Sequence, residues 1–445
     1  MIEHSISAVI GKNFGDEGKG LAVDYLCSKS DKNLVIRHNG GAQAGHTVDL
    51  PETRFVFHQL SSGSFRGADT FWTKNYFPDL YKLNEEIEGF RKAAYDAGSD
   101  YANLKVRIFS EESTPVTLID DVIFNMILET SRGMDRHGSC GMGIYEALLR
   151  TQTGFGVTVG DVKNSKCAEL VKMMSNARYN YYLPRLKGIL EKCSSYTDDI
   201  RGKIEEYASL MQDENVLFSA AEEMIRAASC LETVSESDLK DFLKEYKQII
   251  FETGQGLLLD ADREEYWPNV TGSKTGLTNI VDSLNEWGLR LNEVCYVTRS
   301  YVTRHGAGRL PGEIDLKEMP EYGFLADKTN TFNEWQGGIR YAKHVDIENF
   351  WRPVLEDYEK CLELNTDIKP GITLFITHLN ETGEELMFDG GNLSLKEFVE
   401  KSTESGKNQA YDFLNNKCIM SKLKQIYVSK TPYSKDVEIV DYAYI

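Results

Sequence analysis

Lys19 follows Gly18 in the stretch Gly11-Lys-Asn-Phe-Gly-Asp-Glu-Gly-Lys-Gly20, and this mixture of glycine, carboxylate and lysine suits phosphate chemistry. Backbone N–H groups around Gly15, Glu17, Gly18 and Gly20 can close on phosphate oxygens, and Lys19 adds a point charge. The common P-loop has a glycine where this chain has Asn13, and a magnesium-holding Ser or Thr where it has Gly20. The hard oxygen ligand left in the turn is Asp16. It either serves Mg2+ and a proton transfer or, with Glu17, caps the following helix.

A second stretch, Arg37-His-Asn-Gly-Gly-Ala-Gln-Ala-Gly-His-Thr47, brings Gln43, Gly45, His46 and Thr47 into another glycine loop. His46 lies between a glycine and a threonine, with no apolar face to join. Both stretches follow short apolar runs, Ile6–Ile10 and Leu34–Arg37, that read as strands, and Leu21–Leu26 reads as the start of a helix. Adjacent loops of a parallel sheet open on one edge. Asp16 and His46 are therefore expected to face one another across a cleft as base and acid.

The chain has 445 residues, 50 Lys and Arg against 69 Asp and Glu, and a formal charge of -19. That balance argues against nucleic acid as a partner, because phosphate backbones require basic surface. The eight cysteines include no Cys-x-x-Cys pair, so they read as reduced, mostly buried thiols rather than a zinc site or a disulfide framework. No signal peptide or transmembrane-length apolar run is visible, which makes a cytoplasmic location, without membrane association, the expectation. Helices are expected between about 74 and 106 and over about 116–131, with a strand at Val106–Phe109. Residues about 165–250 are dense in Lys, Glu, Leu, Met and Ala and read as a helical subregion on one side of the sheet. The fold class is α/β: one large, mostly parallel central sheet with P-loop-like glycine loops and flanking helices, in a single domain over 1–445.

These motifs resemble those of the adenylosuccinate synthetase family, whose signature is close to G-x-x-W/F-G-D-E-G-K-G followed by G-G-x-N-A-G-H-T. The similarity continues in order through His58–Gly63, Phe251–Asp260, Val270–Ser273 and Tyr301–Gly308 with Pro311 and Glu313. Ile249–Phe251 reads as a strand with Gly254–Gly256 as the turn at its end. This places the Gln255 amide, donor and acceptor together, at the ligand-binding edge, where it meets a purine or else satisfies loop backbone. Thr271 and Ser273 can add phosphate contacts, and Arg304 a fixed charge for a phosphate or carboxylate. The resemblance implies a phosphate loop at His137–Glu146, where Ser139 keeps a hydroxyl while Cys140 and Met142 replace a threonine and an arginine. It also implies a homodimer, with Arg150 the nearest candidate for an arginine reaching the neighbouring subunit's nucleotide.

Departures gather in the last third. The family's arginine-rich aspartate loop aligns with Thr331–Arg340, where Arg340 is the obvious carboxylate partner that remains. The family's T-K-L-D, which selects guanine, becomes Thr377-His-Leu-Asn380. Neutral His378 and Asn380 lack the charge-assisted selection of guanine, which points to ATP or dATP as phosphate donor.

The resemblance implies a ligase of purine biosynthesis that binds a nucleoside triphosphate, a purine nucleotide and aspartate. Mg2+ would be held by Asp16 and a carbonyl near Gly45, with Lys19 and His46 at the phosphates. Asp16 would take the N1 proton of a 6-oxopurine, Gln255 would position the ring, and a 6-phosphoryl species would react with the amine of aspartate. IMP is one acceptor; dGMP, used by a phage-type branch leading to 2-aminoadenine nucleotides, is the other. A non-catalytic nucleotide sensor is the alternative of another class.

Overall fold

Short β-branched runs alternate with amphipathic stretches along the chain, a pattern that buries both faces of a parallel sheet beneath helices. The computed structural model describes residues 5–133, 138–325, 337–405 and 419–440. Ten strands build the central sheet: β1 (Ser5–Gly11), β2 (Asn33–Arg37), β3 (Asp69–Trp72), β4 (Ile108–Glu111), β5 (Glu232–Val234), β6 (Gln248–Gly256), β7 (Glu293–Arg299), β8 (Gly371–Thr377), β9 (Leu423–Val428) and β10 (Glu438–Val440). Their order is β10-β9-β8-β7-β1-β6-β2-β3-β4-β5. Every neighbouring pair is parallel except β9 with β10. The expected large, mostly parallel α/β sheet is thus what the chain forms.

The connection that matters for a site is the insertion of β6 between β1 and β2. The loops after β1, β2 and β6 thereby emerge side by side at one carboxyl edge, and those after β7 and β8 follow on the other flank of β1. Such a reversal of strand order is where open α/β sheets bind ligands. β2 and β8 are buried throughout, and β1 from its second residue on, so each central strand is apolar on both faces. Helices supply the covering layers. Leu80–Asp96 follows an Asp79 cap that accepts from Tyr81 N, and it buries Leu83, Ile87 and Phe90. Ile119–Arg132 buries Ile123, Phe124 and Ile127.

The region about 165–250 is largely helical as expected, with Cys167–Ala177, Leu183–Leu190, Asp198–Gln212, Glu214–Ala228 and Glu236–Leu243. Its departure from a purely helical reading is β5, three residues that pair with β4 and close the sheet edge. Leu170, Met174, Leu217 and Met224 pack with Leu83 and Phe90, while Ile204, Ala208 and Met211 pack with Ile123 and Ile127. Strand β6 is also longer than its apolar core suggests. Its end, Gly254–Gly256, is not a turn, because after a register shift Gly256 pairs with Gly11 of β1.

That closing pair is tight. A Cβ on Gly256 would strike Asn13 O and lie 2.6 Å from Gly15 N, both backbone atoms with no rotamer by which to retreat. Gly256→Ala is therefore expected to destabilise the protein by about 1–3 kcal/mol, as overpacking does. Chemical denaturation checks this, and an unchanged midpoint would mean that the first loop yields freely.

Candidate active site

The first glycine loop joins β1 to the helix Lys19–Cys27, whose N-terminus opens directly onto the loop. Gly15 and Gly18 have φ of 111° and 89°, values that disfavour a side chain. Glu17 turns inward: its Oε1 accepts from Asn13 N at 3.0 Å and Gly15 N at 2.8 Å, so it braces the loop. Lys19 Nζ donates to Gly15 O at 2.5 Å and lies 3.6 Å from Glu17. The Asp16 side chain, in contrast, is 29 % exposed, with His305 Nε2 at 3.7 Å. It is not hydrogen-bonded to His46.

His46 belongs to a different cluster. It begins the hairpin strand His46–Asp49, which pairs with Arg54–Phe57, and its side chain is 3 % exposed. Its Nδ1 meets Glu252 Oε1 at 2.5 Å and Arg37 Nη1 at 3.2 Å. Arg37 also pairs with Glu252 Oε2 at 3.2 Å, and Ser62 donates to the same carboxylate through its backbone N and its hydroxyl. Arg37 and Glu252 are register partners on β2 and β6.

Arg37 and His46 hold the Glu252 carboxyl down at about 2 despite its burial. Burial pushes His46 down to about 4, with Glu252 opposing. A neutral imidazole that donates Nδ1–H to Glu252 leaves Nε2 as an acceptor, and Nε2 is buried with no partner among the described residues. Such a ring is oriented for one task at Nε2.

The two loops touch. A Cβ on Gly20 would lie 2.5 Å from Thr47 O, so Lys19 and Gly20 sit against the His46–Thr47 backbone. Gln255 closes the group from β6. Its Cα is 3.6 Å from the Cβ direction of Gly15, and its amide is 2.8 Å from that of Gly40. Asn39 Nδ2 donates to Gln255 Oε1 at 3.2 Å, and Gly254 N to Asn39 Oδ1 at 2.9 Å. Gln43 Nε2 lies 3.0 Å from the Cβ direction of Gly40, beside the same amide, and Gln43 Oε1 is buried without a partner among the described residues. Gly45 is exposed.

The remaining residues form an outer ring. The Gly138–Gly143 turn lies beside Ala307, and Tyr145 and Leu148 of Ile144–Arg150 press on Gly272. Ser139 Oγ donates to Asn125 Oδ1 at 2.8 Å, which leaves its hydroxyl already engaged, and burial raises the Cys140 thiol. Thr271 and Ser273 hydroxyls lie 3.2 Å apart. Arg304 and Arg340 are register partners on Val302–His305 and Ile339–Ala342. Arg304 donates to Arg309 O and Asn269 O and lies over Phe14, and burial with Arg340 beside it lowers it to about 10. Arg340 pairs with Glu313 at 3.0 Å and donates to Gly308 O.

On the other flank of β1, after β8, His378 has φ of 60°, its Nδ1 is 2.8 Å from Thr377 Oγ1, and burial with Arg299 near keeps it neutral. Asn380 is exposed.

Arg150 is a correction. Its guanidinium is fully buried, bidentate on Asp121 at 2.9 and 3.0 Å, and donates also to Phe155 O and Val116 O. All three guanidinium nitrogens donate within its own subunit, so in this structure the side chain is turned inward rather than toward a neighbouring one. His137 and Thr331–Gln336 of the expected phosphate and aspartate loops lie outside the described residues. Cys27, Cys193, Cys295 and Cys361 are buried, while Cys230 is exposed.

Sequence reading passed over Arg37, Glu252 and His305. The first two carried a signal, a charge ending each of two apolar strands, and His305 stands where the resembling family has valine. Among the described residues no three His, Cys, Asp or Glu side chains cluster as a metal site. No helix of those residues is long and apolar enough to cross a membrane.

A family model described as adenylosuccinate synthetase matches residues 8–346. The chain is 30% identical over 362 residues to adenylosuccinate synthetase of Picrophilus torridus, covering 77% of this chain and 75% of that one. It is 28% identical over 340 residues to that of Buchnera aphidicola, covering 76% and 71%. The fold is similar to that of the fully ligated adenylosuccinate synthetase of Plasmodium falciparum, with a TM-score of 0.63, 19% identity and coverage of 98% and 100%. It is also similar to succinoaminodeoxyadenylate synthetase of cyanophage S-2L, a structure bound to dGMP and to dATP as energy donor, with a TM-score of 0.57, 13% identity and coverage of 98% and 95%. The family match ends before β8, so His378 and Asn380 lie beyond it.

His38, at the end of β2, gives a stability test independent of turnover. It is buried against Phe251, with Nε2 3.0 Å from Thr253 Oγ1, and burial together with Arg37 pushes it down to about 3. The unfolded chain protonates it near 6.5. Its neutral form therefore contributes stability that is complete above pH 6.5 and is lost as pH falls toward 3, at up to ~1.4 kcal/mol per pH unit. His38→Gln should flatten urea-derived stability between pH 6.5 and 4 relative to wild type; parallel curves would refute the assignment.

Proposed function

The chain belongs to the adenylosuccinate synthetase family and is a nucleotide-dependent carbon–nitrogen ligase, and from that premise we propose that it joins aspartate to a 6-oxopurine nucleotide with a donor not restricted to GTP. The observation that carries this reading is the convergence of Asp16, Lys19, His46 and Gln255 at the strand-order reversal around β1, β6 and β2. A pure nucleotide sensor has no use for an oriented imidazole and a part-exposed carboxylate on loops of one sheet edge.

In this reading the Asp16 carboxylate removes the N1 proton, and the purine O6 becomes the nucleophile. Gln255, fixed by Asn39, holds the ring edge. O6 attacks the γ-phosphorus, the bond to the β,γ-bridging oxygen breaks, and the nucleoside diphosphate leaves. His46 takes up a proton at Nε2 as the phosphates bind and donates it to a phosphate oxygen as a hydrogen bond, Glu252 at Nδ1 stabilising the imidazolium, while Lys19 offsets charge. The amine of aspartate then displaces phosphate at C6.

Mg2+ fits the residues present: Asp16 offers a hard oxygen not locked in a close ion pair, and the carbonyl of exposed Gly45 would add a second. When bound, the ion would neutralise charge between the phosphates. With one protein carboxylate, water and phosphate oxygens would complete its shell. Arg304 and Arg340, paired across two strands, support carboxylate or phosphate recognition near the outer ring. A homodimer rests mainly on the family resemblance.

The donor is the distinctive part. Neutral His378 and uncharged Asn380 remove the acceptor charge that selects the N1 and N2 donors of guanine, which favours ATP or dATP. dGMP in place of IMP is the second reading, supported by a structural neighbour bound to dGMP and dATP; the donor-flank residues themselves do not choose between the two acceptors.

Nucleoside diphosphate release, measured with Mg2+ and aspartate while IMP, GMP and dGMP are crossed against GTP, ATP and dATP, names the pair. Release that needs both a 6-oxopurine nucleotide and aspartate is expected; nucleotide binding without release would favour the sensor. Asp16→Ala should lower turnover about 10²–10⁴-fold while the protein melts normally. His378→Lys with Asn380→Asp should shift preference toward GTP by about 1–3 kcal/mol, and unchanged selectivity would place the base pocket elsewhere.

A further inference from the structure

Arg299 ends β7 inside the protein, yet its guanidinium is not spent on a direct ion pair. Its Nε donates to Asp16 O at 2.5 Å, and its Nη1 donates to Tyr301 Oη at 2.9 Å. The Tyr301 hydroxyl in turn donates to Glu381 Oε2 at 2.5 Å. Tyr301 is 1% exposed, and Glu381 ends the short turn Leu379–Glu381 that also holds Asn380. Beside this chain of contacts, Thr377 Oγ1 donates to Glu17 O at 2.8 Å, and Ser300 Oγ to His378 O at 3.0 Å. Two successive carbonyls of the first glycine loop are thus gripped from β7 and β8, one of them the carbonyl of the residue placed as base.

We propose that Arg299 is a positioning residue that fixes the Asp16 peptide, and hence its carboxylate, and that Tyr301 and Glu381 tie this hold to the turn carrying the donor-base pocket. The inference deepens the proposed function and rests on it for the identity of that pocket. Its physical basis is geometric. A buried planar guanidinium with two directed donors fixes both the distance and the angle of what it holds. Here one donor goes to the main chain of the first loop and the other, through one phenol, to the loop after β8. Filling or emptying the donor-base pocket therefore bears on Asp16 through three side chains.

With the substrates that wild type turns over, Arg299→Met is expected to lower kcat at least about tenfold, because a shift near 1 Å in a reacting group costs up to about 10²-fold. The KM values for donor, acceptor nucleotide and aspartate should all stay within about twofold. Arg299→Lys, which keeps one donor, should recover part of the loss. Tyr301→Phe keeps the packed ring and removes only the link, so it should lower kcat and raise the donor KM.

The double variant Arg299→Met/Tyr301→Phe should lose no more than the worse single, the behaviour of groups that act as a unit. Losses that multiply, or a kcat within about twofold of wild type in a normally melting Arg299→Met, overturn the proposal. Should Arg299→Met fail to fold, Tyr301→Phe decides, and unchanged kcat and donor KM there overturn it equally. Asn380→Ala separates this from the donor reading. Unchanged donor KM in that variant refutes the base pocket, while lost kcat in the Arg299 variants still upholds the hold on Asp16.

Discussion

A carboxylate sealed from water sits at the centre of this protein. Glu252 is fully buried on β6, the strand inserted between β1 and β2, and an isolated charge there would cost several kcal/mol. It is stable because Arg37 stands opposite in the β2–β6 register, Ser62 donates twice and His46 closes the set. The arrangement fixes more than charge. It sets the tautomer and orientation of His46, and through the Thr47 backbone it fixes where the second loop meets Gly20 and Lys19. Removing one partner would leave the others uncompensated, so this cluster couples the sheet's register to the chemistry at its edge.

Close backbone approach is the second constraint. The end of β6 runs against the first glycine loop at Gly256, and Gly40 leaves room for the Gln255 amide. Glu17, which as a loop carboxylate invites a ligand role, instead satisfies two loop N–H groups that would otherwise point at nothing. Asp16, one residue earlier, is thereby left facing solvent and His305. Neighbouring carboxylates thus take different roles because one faces the loop's interior and the other faces out.

The donor flank follows another logic. His378 and Asn380 sit on a loop laced to β7 through Ser300 and Tyr301, outside the part of the chain matched by the family model. The catalytic loops belong to the matched part and keep its motifs. A scaffold can hold one half of a site fixed while the other half varies when the two halves come from different strands and meet only through a few directed hydrogen bonds.

The two glycine loops, the apolar strands before them and the α/β class were all legible in the residues, because each is a local matter of spacing and residue type. Glu252 and Arg37 were visible as charges ending apolar strands, but their pairing with His46 was not, since register between β2 and β6 joins residues more than two hundred positions apart. Arg150 stood as the nearest candidate for reaching a neighbouring subunit; Asp121, brought to it by packing of two helices, takes two of its donors instead. Asp16 and His46 seemed natural partners because their loops share an edge, and the fold gave each a different one. Sequence alone determined which chemical groups reach that edge, through strand-and-glycine patterning that acts within a few residues. Tertiary structure decided which of them are braced, charged or left open, because buried charges and directed hydrogen bonds are satisfied only by what the whole sheet brings alongside.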